Sequence, residues 1–490
     1  MDLNSLKDIK TIHDLFLSKK LSVVEFTKFH LNKAHELNPT LNCFITITDE
    51  LALSQAKESE DRYLKGNPLS DIDGIPMSVK DVICVKGIRT TASSKMLDKY
   101  ISPYTATGIQ RLIDNGAVIL GKNNSDPFAF GGSGENSGYG PTKNPLDISR
   151  VPGGSSSGSA SAVSAGIGIY SIGTDTGGSV RNPASLTGLV GFKPSYGRNS
   201  RYGLISMASS FDTMGILANN VLDAAIVEDI LSGVDAKDST THELEKTSFI
   251  QDVNKDVKDL TIGIPKEYFV EGLDSDIKKC VMDKVEELKK LGVTFQEVSL
   301  PHTKYALPTY YILVPSEISS NLGRFDGIRF GNSDSESTDL EEAYIKSRDI
   351  FEDEVKRRII IGTFALSSGY SDEYYKNALK VRELIKKDFE NVFKEVDALI
   401  TPSMPRVAWK IGEEVSDPLK LYLEDIFTVT ANLAGIPGIS VKCGEKEING
   451  SNDSASKDIW GNKVTKLPIG LQILTNRFCE DTLFSLASKI

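Results

Sequence analysis

The sequence predicts an α/β fold with a single large β-sheet at its core and helices packed against it. Three observations carry that expectation. Short apolar runs of strand length alternate with longer stretches of helical period along the 490 residues. Leu260–Ile264, the helical stretch Asp276–Leu291 and the run Val293–Val298 read as a β-α-β unit, which implies that its two strands pair in parallel. Strand-like runs occur both in the region around 40–220 and in that around 420–490, so one sheet built from both ends of the chain is expected.

Taken in order, the elements justify themselves locally. Ser22-Val23-Val24-Glu25 is a capping box, and the helix it starts should stop before Pro39. Leu41–Thr48 is rich in strand formers and Leu51–Leu64 is helical again, closing a helical N-terminal region of about residues 1–65. Asp73-Gly74 then turns the chain into a short buried strand, Ile75–Val79, with Lys80 at its end. Thr105–Asn115 has a helical pattern, Gly116 caps it, and Ala117–Leu120 is a buried strand. In the helical stretch Asp276–Leu291, Ile277, Cys280, Val281, Val285, Leu288 and Leu291 share one side, with Gly292 at the position after the helix. Asn332–Thr338 is a polar loop, and Lys446–Lys466, poor in apolar residues, is expected to be a surface insertion.

The stretch Val151–Gly191 is made largely of Gly, Ser, Ala and Thr, a composition that otherwise marks linkers. Apolar residues run through its middle, however, and Asp175, Arg181 and Asn182 form a polar knot that a linker does not need. Glycine clusters let backbone N–H groups converge on one point without a Cβ in the way, as a developing oxyanion requires. Gly177-Gly178-Ser179 therefore reads as a nucleophile beside its own oxyanion donors, and Gly153-Gly154-Ser155 as a second hydroxyl brought alongside.

Composition narrows the function classes. A formal charge of -11 argues against a broad phosphate-binding footprint, so any nucleic acid is expected to be gripped by another chain. The five cysteines are far apart and suit a reducing compartment. No apolar run approaches a membrane span and no leader peptide is evident, so a cytoplasmic protein is expected. No HExxH pair or Cys/His spacing points to a metal. Gly116–Asn123 imitates a phosphate-binding loop, but its middle residues are apolar strand formers and Asn123 stands where Ser or Thr would hold Mg²⁺.

Histidine is the usual base for a serine nucleophile, yet none lies between residues 36 and 241. The base expected for Ser179 is a lysine. Lys80 follows an apolar strand, where desolvation lowers an ammonium pKa by units and makes the amine a usable base near neutral pH.

The segments GIPMSVKD, PGGSSSGSASA and GTDTGGSVRNPAS, in that order and separated by 75 residues (Lys80 to Ser155) and 24 residues (Ser155 to Ser179), together resemble the amidase signature family. The resemblance implies a single large mixed β-sheet flanked by helices and a Ser–cis-Ser–Lys triad that cleaves carboxamides. Ser179 would be the nucleophile, Ser155 the bridging serine on a cis peptide and Lys80 the base, with the N–H groups of Thr176, Gly177, Gly178 and Ser179 as oxyanion donors.

Further segments, among them KPSYGRNSRYGLI, EVKRRIIIGTFALSSGYSDEYY and YLEDIFTVTANLAGIPGIS, are similar to the tRNA-dependent amidotransferase branch of that family, over nearly the whole chain. This resemblance implies a Gly/Ser-rich catalytic core at about 70–220 and a substrate-recognition part at about 260–430. Glutamine would be held by Tyr310, Arg358 and Asp425, with Tyr311 and Arg357 as adjacent rivals. The ammonia would pass to GatB-like and GatC-like subunits of a heterotrimer, with ATP and Mg²⁺ at a partner that also binds tRNA, and no cofactor in this chain. Four departures stand out: Ser157 at a usual glycine, Ser125-Asp126-Pro127-Phe128 for Met-Asp-Glu-Phe, Lys442 at a usual proline, and the 446–466 insertion.

Overall fold

Strand-length runs from across the chain meet in one sheet. The computed structural model describes residues 1–245, 248–269, 273–334, 336–413, 424–448 and 456–490. In chain order its strands are β1 (Phe44–Ile47), β2 (Pro76–Lys80), β3 (Val118–Asn123), β4 (Tyr170–Asp175), β5 (Val190–Lys193), β6 (Thr213–Ala218), β7 (Thr261–Pro265), β8 (Thr294–Val298), β9 (Ala398–Pro402), β10 (Gly438–Glu447) and β11 (Lys466–Thr475). They form a single 11-stranded sheet in the order β1-β3-β2-β4-β6-β5-β10-β11-β9-β7-β8.

The sheet is mixed. β2 pairs in parallel with β3 and β4, and β7 with β8 and β9, whereas the β4–β6–β5–β10–β11–β9 run is antiparallel. The expected parallel β-α-β unit is therefore β7, the helix Ser275–Lys289 and β8. Joining both ends of the chain is the β5–β10 pair, in which Phe192 lies opposite Ile439.

Every residue of β2 to β6 is buried, so these strands are covered on both faces. Strands buried on both faces read as near-continuous apolar runs, which is why Ile75–Val79 and Ala117–Leu120 were legible, although β3 runs on to Asn123. Polar residues close three of them: Lys80 ends β2, Asn123 ends β3 and Asp175 ends β4. Parallel β2, β3 and β4 bring these three ends to the same edge of the sheet, where open α/β sheets bind ligands.

Two expectations are corrected. The helix started by Ser22 does not stop before Pro39; it spans Val23–Leu41 with the proline inside. Pro39 falls in the last turn, where a missing N–H forfeits a single bond, and Asn42 in the left-handed region closes the helix. The surface insertion is partly strand: β10 runs to Glu447 and β11 begins at Lys466. Its residues 456–460 are tied down, with Lys457 O accepting from Ile148 N at 3.0 Å and Ile459 N donating to Pro145 O at 2.8 Å. Residues 449–455 of that expectation lie outside the described residues. None of the described helices is long and apolar enough to cross a membrane.

Candidate active site

Lys80 is fully buried and its Nζ donates to three hydroxyls: Ser155 Oγ at 2.8 Å, Thr174 Oγ1 at 2.9 Å and Ser156 Oγ at 3.0 Å. Burial pushes its pKa down from 10.5 to about 7, partly offset by the charges of Asp126, Asp175 and Asp212. An ammonium that meets only neutral oxygens in a dry site is easily neutralised, so the amine can accept a proton near neutral pH.

Ser155 follows a cis Gly154–Ser155 peptide and precedes the helix Ser157–Ser164. Ser179 lies on the loop between β4 and the helix Arg181–Thr187. The two loops are stitched together by the Ser156 N–H, which donates to Ser179 O at 3.1 Å. Lys80 and Ser155 are closed off completely, while Ser179 keeps 7% exposure, so of the three it is the one a substrate can reach. Serine at position 157 is accommodated by its Oγ, which donates to Thr142 Oγ1 at 3.2 Å.

The Asp175 carboxylate shapes the nucleophile loop. It accepts from Gly178 N at 2.9 Å and Val180 N at 3.2 Å and pairs with Arg181, whose guanidinium also reaches Gln472 Oε1, Asn432 Oδ1 and Thr428 O. Burial alone would raise this carboxyl, but Arg181 holds it well below the usual carboxylate range. Gly178 is therefore corrected as an oxyanion donor, because its N–H is already given to Asp175. Among the described residues, no hydrogen bond engages the N–H groups of Thr176, Gly177 and Ser179, and these three stay available. Gly178 has φ +130°, and a Cβ there would collide with Thr428 Oγ1, itself bonded to Gly177 O at 2.6 Å. Only glycine fits that approach.

Of the residues expected to hold glutamine, Tyr310 reaches that loop, and Arg358 and Asp425 meet at Tyr311. Tyr310 and Tyr311 sit on the helix Ala306–Leu322 and point differently. Tyr310 packs on the nucleophile loop, its hydroxyl filling the space that a Cβ on Gly177 would need. Tyr311 donates to Asp425 Oδ2 at 2.7 Å, and the Arg358 guanidinium lies 5.2 Å from its ring centroid. Arg358 is buried and bonded to Glu354 Oε1 at 2.8 Å, whereas the side chain of its rival Arg357 is 41% exposed. Burial pushes Asp425 up to about 6, against the Tyr311 hydrogen bond and the Arg358 charge, and lifts both phenols well above their usual range.

Sequence reasoning missed two buried acids. Asp126 accepts from Gly134 N at 2.9 Å and Asn136 N at 3.2 Å, and its own N–H donates to Ser155 O, so it fastens the 131–136 loop to the bridging serine. Asp212 accepts from Thr176 Oγ1 at 2.7 Å. Burial pushes both up to about 6. Asp126 stood in the Ser125–Phe128 departure, a signal that went unread, while Asp212 carried none. The five histidines all have partners elsewhere: Tyr63, Gly168, Asp49, Asp388 and Arg477.

With this geometry in hand, the sequence matches the family pattern of amidases over residues 25–484. The chain belongs to the amidase family. Amidase relatives cover nearly all of it. It is 47% identical to the A subunit of the glutamyl-tRNA(Gln) amidotransferase of Sulfurihydrogenibium sp. (strain YO3AOP1), over 99% of this chain and 96% of that protein. It is 50% identical to the corresponding protein of Koribacter versatilis (strain Ellin345), over 92% of this chain and 90% of that one. Among solved amidase-fold structures, the A subunit of the glutamyl-tRNA(Gln) amidotransferase of Thermotoga maritima superposes with a TM-score of 0.79 at 36% identity, covering 99% of this chain and 94% of that chain. The peptide amidase of Stenotrophomonas maltophilia gives 0.80 at 26% identity, covering 99% and 96%.

Proposed function

We propose that this amidase hydrolyses the side-chain amide of glutamine and supplies the ammonia to partner subunits that amidate glutamyl-tRNA(Gln). The observation that carries the reading is that a buried cation, Arg358, and a carboxylate, Asp425, both meet Tyr311, whose helical neighbour Tyr310 packs on the nucleophile loop. Glutamine differs from a simple amide by an α-carboxylate and an α-ammonium, and fixed opposite charges read those two groups. The names of the relatives support the same assignment.

Ser179 Oγ attacks the carboxamide carbon while its proton passes by way of Ser155 Oγ to Lys80 Nζ. The N–H groups of Thr176, Gly177 and Ser179 stabilise the oxyanion. Collapse expels ammonia, which takes the proton back from Lys80, and leaves a glutamyl ester on Ser179. Water then attacks the ester carbon, its proton again taken by Lys80, and Ser179 is regenerated. Aspartyl-tRNA(Asn) is a second acceptor that the same ammonia could serve. ATP, Mg²⁺ and tRNA belong to the partner subunits, GatB-like and GatC-like, in a cytoplasmic heterotrimer.

The test compares glutamine with propionamide as substrates of the purified chain, and then of the chain assembled with its partner subunits. Selective use of glutamine, and amide transfer to glutamyl-tRNA in the assembly, support the proposal. Equal kcat/KM on the two amides would overturn it in favour of a general amidase.

A further inference from the structure

Away from the active site, a cleft of about 710 Å³ opens between the segment around Lys95–Tyr104, the loop 204–206 and the segment 321–332. Its walls are prebuilt: Asn332 N donates to Met96 O at 2.7 Å and Asn332 Nδ2 to Lys95 O at 3.1 Å. Tyr100, Phe325 and Phe330 give it an apolar lining, and Phe330 is 55% exposed at its mouth. Tyr104 also lines it, and the neighbouring Ile101 and Ile328 are exposed apolar residues outside.

The charge of the cleft is opposite to that of the molecule. The chain carries -11, yet among the described residues the charged ones lining the cleft are Lys99, Arg324 and Arg329, with no Asp or Glu beside them. Acids around it are partly engaged: Asp98 pairs with Arg89 and accepts from Tyr139, Asp212 accepts from the Ser206 hydroxyl at the cleft wall, and Asp326 accepts from the N–H groups of Ile328 and Arg329 while also lying 3.9 Å from the Arg329 guanidinium. Large exposed apolar surface rimmed by one sign of charge marks a protein-binding site.

We propose that this cleft docks an extended segment of a partner subunit that carries apolar side chains flanked by carboxylates. The apolar anchors fill the space between Phe325 and Phe330, and the carboxylates meet Lys99, Arg324 and Arg329. A polynucleotide fits less well, since the lining is mainly apolar and three cations make a small phosphate footprint. The proposal rests on the reading of this chain as one component of an assembly.

The experiment measures binding of the full chain to the purified GatB-like and GatC-like partner subunits from the same source. Two variants are compared with wild type: Lys99→Glu/Arg324→Glu/Arg329→Glu, and Phe330→Ala. Each is expected to weaken binding at least tenfold, the triple variant also losing most of the salt dependence, while glutaminase activity of the isolated chain is unchanged. Wild-type binding that both variants retain would overturn the docking site and leave the proposed function standing. Failure of the wild type to bind its partners would overturn both. The site would also be overturned by a wild-type dimer, seen in sedimentation, that the variants abolish. So would binding of tRNA by the isolated chain if the triple variant loses it.

Discussion

Replacing Lys80 by methionine tests the buried amine through stability as well as activity. In the folded protein its pKa is about 7 against an ordinary 10.5, so the folded state binds fewer protons than the unfolded state between those values. Stability contributed by this group therefore rises with pH across the window from about 7 to 10.5, by about 1.4 kcal/mol per pH unit. Below pH 7 the contribution is flat and unfavourable by about 5 kcal/mol in all. Lys80→Met removes that cost. It also removes the donor for Ser155 and Thr174, at roughly 1–3 kcal/mol for each hydroxyl left without a partner, whereas Ser156 keeps its bonds to the Thr174 backbone. The two magnitudes are close, so the slope and not the offset is diagnostic. Urea unfolding of both proteins at pH 6, 7, 8 and 9 should give a stability difference that is constant at the two lower values and shifts toward wild type above them. Wild-type kcat/KM on glutamine should rise about tenfold per pH unit between about pH 6 and 7, more steeply below, and then level, with the variant inactive throughout. A stability difference independent of pH would refute the reasoning, because the ammonium would then not be desolvated by folding.

Three further outcomes are expected. Ser179→Ala abolishes the glutamyl-ester burst and turnover but leaves glutamine binding intact by calorimetry, and an acyl adduct on another residue would contradict this. Asp425→Ala and Arg358→Ala each weaken kcat/KM on glutamine by about 2–5 kcal/mol while propionamide hydrolysis changes little; in the wild type, KM for glutamine should climb as pH falls through about 6 and the Asp425 carboxyl protonates. Arg181→Met leaves the Asp175 carboxylate buried without its charge partner and should cost about 3–5 kcal/mol in unfolding measurements.

The candidate catalytic set was legible because each member sits in a contiguous pattern: a lysine closing an apolar strand, and two serines behind glycine pairs. What a loop does with its own amides was not. The Gly178 N–H looked as available as its neighbours until the fold turned the Asp175 side chain back onto it. Tyr310 and Tyr311 are adjacent on a helix and so point about 100° apart; which one meets Asp425 depends on how that helix is rotated against the sheet. Helix rotation likewise buries Arg358 and leaves Arg357 outside. Pro39 misled because a breaker in the last turn costs little. Asp126 and Asp212 each tie a nearby loop to a distant residue, Ser155 and Thr176 respectively, and those distant contacts are what the sequence does not announce.

The strand order has a consequence for how the protein is made. β5 finds its second neighbour in β10, and β9 finds one in β11. Until the ribosome has delivered roughly the last tenth of the chain, both present open edges to other nascent chains. The loop that carries Ser179 waits as well, since Arg181 anchors it through Asn432 and Gln472. Translation thus completes the nucleophile's surroundings only at its close, and a polypeptide interrupted before Gly438 leaves a sticky, catalytically unformed sheet for chaperones and proteases to deal with.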